Sequence, residues 1–100
     1  MRFEPTFLVT ATFAADAATR REPHRQAHLA HVEAMLADGT ALLAGARADL
    51  GASVLVLRAA DATAARNRVE QDPYWQHRVW TGIEVVEYLA VTPQSLGSRY

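Results

Sequence analysis

The chain has 100 residues, half of them hydrophobic and 21% charged, with a formal net charge of −1 and no cysteine. That describes one globular domain, excludes a disordered chain, and leaves no electrostatic footprint for nucleic acid or an anionic membrane surface. No disulfide framework, thiolate nucleophile or zinc–cysteine site is available, and no apolar run approaches the roughly 18 residues of a membrane span.

The N-terminal stretch MRFEPTFLVTATF carries Glu4 and Pro5 where a signal peptide would have an apolar core. With no targeting signal to read, the expected location is cytoplasmic. Thr6 to Phe13 alternates like a strand, with Phe7, Val9, Ala11 and Phe13 on one face and Thr6, Thr10 and Thr12 on the other. Ala14 to Ala18 is a connection. Thr19 and Glu22 have capping-box spacing, Pro23 suits a first helical turn, and the helix runs to about Asp38. Gly39 is placed to end it in the left-handed conformation.

Ala41 to Gly45 is a second strand, Arg47 to Gly51 a turn, and Ala52 to Arg58 a third strand hairpinned to the second. Asp61 is an N-cap for a second helix from Ala62 to about Gln71. Asp72-Pro73-Tyr74 breaks that helix, because a residue before proline avoids the α region, and Tyr74 to His77 suits one further turn. Ile83 to Val91 is the last strand. Pro93 ends it, and residues 92–100 read as a loose polar tail on a core spanning about 6–91.

The order β-α-β-β-α-β is the ferredoxin-like α+β arrangement: a four-stranded antiparallel sheet with two helices on one face. The last strand is apolar on both sides apart from Glu84 and Glu87. Two helices cover only one face, so a homodimer packed through the open sheet face is expected.

The stretch RQAHLAHVEAMLADG, Arg25 to Gly39, decides what chemistry the first helix can offer. On a helical wheel Leu29, Val32 and Leu36 form a core stripe, with His24, His28, His31 and Met35 on the neighbouring flank. His28 lies nearest the stripe and is expected half-buried at the helix–sheet edge. His24 and His31 are expected at the rim, with His77 likewise a surface histidine. A His-x3-His pair could hold a metal, but no carboxylate or cysteine completes a familiar spacing, so no metal is expected. An imidazole beside a carboxylate can instead act as a base: the carboxylate fixes its tautomer and stabilises the imidazolium. Asp72, at the helix break, is the candidate carboxylate; its plain alternative is helix capping before Pro73. Arg25, one turn before His28, is placed to hold an anionic group. Tyr74 and Trp75 are candidate pocket walls, although core or interface packing is the commoner use of Tyr74, Trp75 and Trp80.

Arg25-Gln-Ala-His28, Leu36-x-x-Gly39, Leu42-Leu43-Ala44-Gly45 and Asp72-Pro73-Tyr74, in this order, resemble the YCII-related (YciI-like) family over about residues 6 to 91. Two departures are Ala46, where a proline often follows the strand glycine, and the short hairpin at Arg47 to Gly51. The resemblance implies a dimeric α/β barrel of ferredoxin-like domains and an active site pairing His28 with Asp72. It also implies relatives among dehydrochlorinases of chlorinated hydroxyhydroquinones, muconolactone isomerases and cofactor-free monooxygenases. The expectation is a small cofactor-independent lyase, isomerase or dehydrochlorinase-like enzyme that abstracts a proton from a small acidic or aromatic-derived substrate, with Arg25 and Tyr74 binding it. The rivals are a non-enzymatic ligand-binding or accessory domain of the same fold, and a heme- or metal-dependent relative.

Overall fold

The structure, a computed structural model, describes residues 2–96. Strand β1 (Glu4–Phe13) pairs antiparallel with β3 (Ala52–Leu57) on one side and β4 (Trp80–Ala90) on the other, and β2 (Ala41–Ala46) pairs with β3. The order β2-β3-β1-β4 is that of a ferredoxin-like sheet. Its helices, chiefly α2 (Arg25–Ala37) and α3 (Ala62–Glu70), lie on one face. Alternation in β1 buries Val9, Ala11 and Phe13 beneath them, and Leu55, Leu57, Ala65, Val69 and Trp80 complete the core.

Several local signals act as the residue types dictate. Gly39 takes φ +82° and ends α2 in the left-handed region that glycine adopts without steric cost. Asp61 is extended and accepts the Ala64 N–H at 2.8 Å, capping α3. Asp72 is extended ahead of Pro73 and caps the short helix α4 (Pro73–Gln76) through the Tyr74 N–H at 2.8 Å.

Other expectations change. The connection after β1 contains a helical turn, α1 (Ala17–Arg20), and a 3₁₀ turn over Glu22–His24. Thr19 forms no capping box: the chain runs nearly continuously helical from Arg21 into α2, so no extended residue can turn its side chain back onto free N–H groups. In the hairpin the left-handed position falls on Leu50, at φ +57°, not on Gly51. The last strand begins at Trp80, three residues before the expected Ile83. Thr12 pairs with Gly82 but Phe13 pairs with Trp80, so Thr81 is a bulge, and the bulge turns Trp80 onto the buried face opposite Phe13.

The expected loose tail is ordered over its first part. Pro93–Leu96 forms a helical turn, α5, capped by Thr92, whose hydroxyl also donates to Glu4 at 2.6 Å. Glu4 is paired with Arg58, which reaches Gln94 at 3.2 Å, so the two ends of the chain are tied together. The rest of that expectation, residues 97–100, lies outside the described residues.

The largest correction concerns α2. Of the expected core stripe, Val32 packs against the core, but Leu29 and Leu36 are 48% and 44% exposed, whereas Met35 is fully buried. The helix turns its histidine flank inward. Imidazoles can be buried where ring stacks and a carboxylate receive them, and an alanine-rich helix has little apolar area to oppose that rotation.

At the end of α2 the Thr40 hydroxyl and N–H and the Arg68 guanidinium hold the Asp38 carboxyl at about 2, against an ordinary 3.8. A carboxyl depressed on folding stabilises the fold above its unfolded pKa, and that contribution is lost as pH falls through the folded one. The expected result is that wild type loses stability relative to Asp38→Asn as pH falls from about 4 to 2. Urea unfolding midpoints of the two proteins across that window check it, and parallel curves would refute it.

Candidate active site

The site forms where the start of α2, the short helix α4 and the buried sheet face meet. α2 supplies His28, and the extended residue before Pro73 turns the Asp72 side chain towards it. Asp72 is 1% exposed, and its two oxygens lie 2.9 and 2.8 Å from His28 Nδ1. A carboxylate has no proton to give, so Nδ1–H donates and the lone pair is on Nε2. Among the described residues Nε2 has no partner, on a side chain that lines a cavity of about 180 Å³. The capping and His-pairing readings of Asp72 therefore hold together: Oδ1 serves both the Tyr74 N–H and His28.

Aromatic rings fix the imidazole. Tyr74 stacks on it at 3.7 Å with planes 6° apart, and Trp80 meets it edge-on at 5.4 Å and 87°. Phe13 closes the cluster, edge-to-face with both Tyr74 and Trp80. The remaining wall is apolar or small, including Leu29, Val32, Ala44, Gly45 and Leu55. Arg21 and Arg25 also line the cavity. Five other arginines pair with carboxylates, but among the described residues these two have no such partner. Burial pushes the Tyr74 hydroxyl above the usual phenol range; the charges of Arg21 and Arg25 oppose that, and Asp72 adds to it.

Of the expected site residues, the fold brings His28, Asp72, Arg25 and Tyr74 to one place. Trp75 is turned away, beneath the Arg66 guanidinium at 5.9 Å. His24 stacks on His77 at 3.8 Å with planes 6° apart, and its desolvation, with His77 adding to it, pushes the imidazole below its usual range. His31, expected at the rim, instead has Nδ1 3.3 Å from Asp72 Oδ2. Residue patterns missed Arg21 and His31; Trp80 is buried in the core, its commoner expected use, but also stands against His28 at the site. Arg21 stands four residues before Arg25, a helical spacing that was its available signal. Trp80 depends on the bulge, which leaves no mark in hydropathy. Among the described residues, no group of three or more His, Cys, Asp or Glu side chains is arranged to hold a metal ion, and no helix is long and apolar enough to cross a membrane.

Fold and site together define a small ferredoxin-like α+β protein with a histidine–carboxylate pair at one wall of an arginine-lined cavity. The chain belongs to the YCII-related domain family, whose sequence profile matches residues 6–89. Its fold is similar to the solved structure of 5-chloro-2-hydroxyhydroquinone dehydrochlorinase from Burkholderia phenoliruptrix AC1100 in complex with 2,5-dihydroxybenzoquinone. The TM-score is 0.72 at 20% identity, over 83% of this chain and 92% of that one. No curated protein sequence matches the chain.

Proposed function

We propose that this protein is a cofactor-independent enzyme of the lyase, isomerase or dehydrochlorinase type, in which His28 withdraws a proton from a small, acidic, single-ring substrate. The observation that carries the reading is His28 itself: Nδ1 is bound to a buried carboxylate while Nε2 is unpartnered on a side chain lining the cavity. The cavity, about 180 Å³, is smaller than the roughly 300–1,000 Å³ of pockets for drug-sized ligands, which suits one substituted ring. Arg21 and Arg25 offer positive charge where an oxyanion or a departing halide needs it. In an elimination the halide leaves from a tetrahedral carbon, which a phenolic ring provides when one hydroxyl proton moves to the halogen-bearing carbon and that hydroxyl becomes a ketone; Nε2 then takes a remaining O–H or C–H proton. The electron pair left behind becomes a new C=O or C=C bond, shifted through the ring, and the carbon–halogen pair leaves with the halide. Asp72 stabilises the imidazolium so formed. The fold similarity to a dehydrochlorinase supports starting with chlorinated hydroxyhydroquinones.

The test is incubation with those compounds and with small lactones. Chloride is read by ion chromatography, isomerisation by NMR, and binding by quenching of tryptophan fluorescence, since Trp80 lines the cavity. Turnover that His28→Gln abolishes supports the proposal. Binding without turnover, unaffected by His28→Gln, would favour a ligand-binding domain.

We propose also that the working form is a homodimer packed through the helix-free sheet face. Leu8, Val54, Val86 and Tyr88 lie on the side of the sheet opposite the buried alternation, and Val86 and Tyr88 are 43% and 44% exposed. Leu43 of β2 is exposed as well. Gly45 in the same strand has no left-handed φ, and a Cβ there would meet nothing within 4 Å. Neither backbone nor intrachain packing demands glycine there, and glycine weakens a strand; close approach of a second chain, or of a ligand in the cavity that Gly45 lines, accounts for it. Sedimentation at micromolar concentration should show a dimer that Val86→Glu converts to monomer; a wild-type monomer would refute the interface.

A further inference from the structure

A carboxylate facing one imidazole would ordinarily offer it a single oxygen and turn the other to a different donor. Asp72 instead straddles His28 Nδ1, at 2.9 and 2.8 Å. Each oxygen has a second neighbour that explains the pose. Oδ1 is held by the Tyr74 N–H at 2.8 Å, and Oδ2 has His31 Nδ1 at 3.3 Å. His31 is otherwise anomalous: both ring nitrogens are buried, and neither has an aligned hydrogen-bond partner among the described residues. A buried polar nitrogen without a partner is costly, and native structures keep few of them. Its nearest carboxylate oxygen, at 3.3 Å, belongs to the acid that holds His28.

We infer that His31 is a positioning residue for the site: it steadies Asp72 Oδ2 from the side opposite Tyr74 and thereby fixes His28 in the tautomer with Nδ1 protonated and Nε2 bare. Without His31 the carboxylate is held on one side only and is free to turn about its Cβ–Cγ bond. His28 then loses its symmetric acceptor and populates the tautomer with the proton on Nε2, which cannot act as a base towards the cavity. One turn of α2 separates the two histidines, so a single helix delivers both the base and the residue that keeps its carboxylate in place. The consequence for turnover rests on the proposed proton abstraction by His28; the tautomer itself does not.

The experiment is nitrogen-15 NMR of the histidine rings at about pH 8.5, above the ordinary imidazole range, with His28 assigned through His28→Ala. Wild type should show the Nδ1-protonated tautomer of His28 as the dominant form. In His31→Phe the ratio of that tautomer to its alternative should fall about twofold or more, the low end of what a hydrogen bond contributes, since the 3.3 Å approach to Asp72 is not an aligned bond. His31→Leu gives the same reading if the larger ring does not fold. His31→Asn, whose amide nitrogen stands where Nδ1 does, should restore most of the ratio. An unchanged tautomer ratio in the apolar variants would overturn the inference, whatever happens to thermal stability, and so would equal loss in His31→Asn. Failure of the enzyme proposal would appear elsewhere, as absent turnover with the tautomer ratios as expected.

Discussion

Asp72→Asn and His28→Ala should each lower turnover by about 10²- to 10⁴-fold, the usual contribution of a positioned general base, while leaving the protein folded. On the proposed mechanism His28→Ala removes the base. Asp72→Asn keeps the shape of the side chain and the cap on α4, since the amide oxygen can still accept the Tyr74 N–H. The amide NH₂ is then turned towards His28 Nδ1 and must find an acceptor there, which favours the tautomer with the proton on Nε2. On that mechanism the two residues act as one unit, so the double variant should cost little more than the worse single one. Asp72→Ala should behave differently, because it leaves the Tyr74 N–H and His28 Nδ1 without an acceptor in a buried place. At about 1–3 kcal/mol for each orphaned group it should also lower stability by several kcal/mol. Turnover measured beside urea unfolding separates the cases. Activity losses in His28→Ala and Asp72→Asn that merely track loss of stability would reduce the pair to a structural one.

Trp80→Ala should be the most destabilising single truncation in the core, at about 3–5 kcal/mol. Trp80 is 1% exposed and is the largest fully buried side chain. It packs edge-on against His28, Tyr74 and Phe13, with ring centroids 5.4, 5.6 and 6.5 Å away, so its loss opens a void that three other rings border. For a domain of this size, each kcal/mol lowers Tm by about 4–8 °C. Trp80→Phe should cost much less. The indole N–H has no acceptor among the described residues, so a phenyl ring forfeits area but no hydrogen bond. Melting of both variants at one protein concentration checks this, the fixed concentration removing any effect of subunit association. A Trp80→Phe cost equal to that of Trp80→Ala would show that the indole makes a polar contact that ring packing does not describe.

The architecture was legible because its signals are local. Alternation places Val9, Ala11 and Phe13 inward whatever surrounds them, Gly39 reports a left-handed backbone, and Asp61 and Asp72 report helix starts through N–H groups two or three residues away. His28, Asp72, Arg25 and Tyr74 were legible as candidates through a helical flank, a proline break and a family resemblance, and the fold brings all four together. The rotation of α2 was not legible. Hydropathy ranks leucine above histidine, so Leu29 and Leu36 claimed the core, but the buried face of a helix is chosen by what waits opposite it. Here a buried carboxylate and three aromatic rings wait opposite, the carboxylate 44 residues beyond His28, and they receive His28 and His31 better than they would receive two leucines. The place of Trp80 at the site, beyond the core packing expected of it, was out of reach for a related reason: one extra residue in a strand reverses the face of every residue before it, and only the pairing with β1 decides where that residue falls. Residue types and their spacing determine which elements form and where they stop; the partner across the gap determines which side of each element becomes the site.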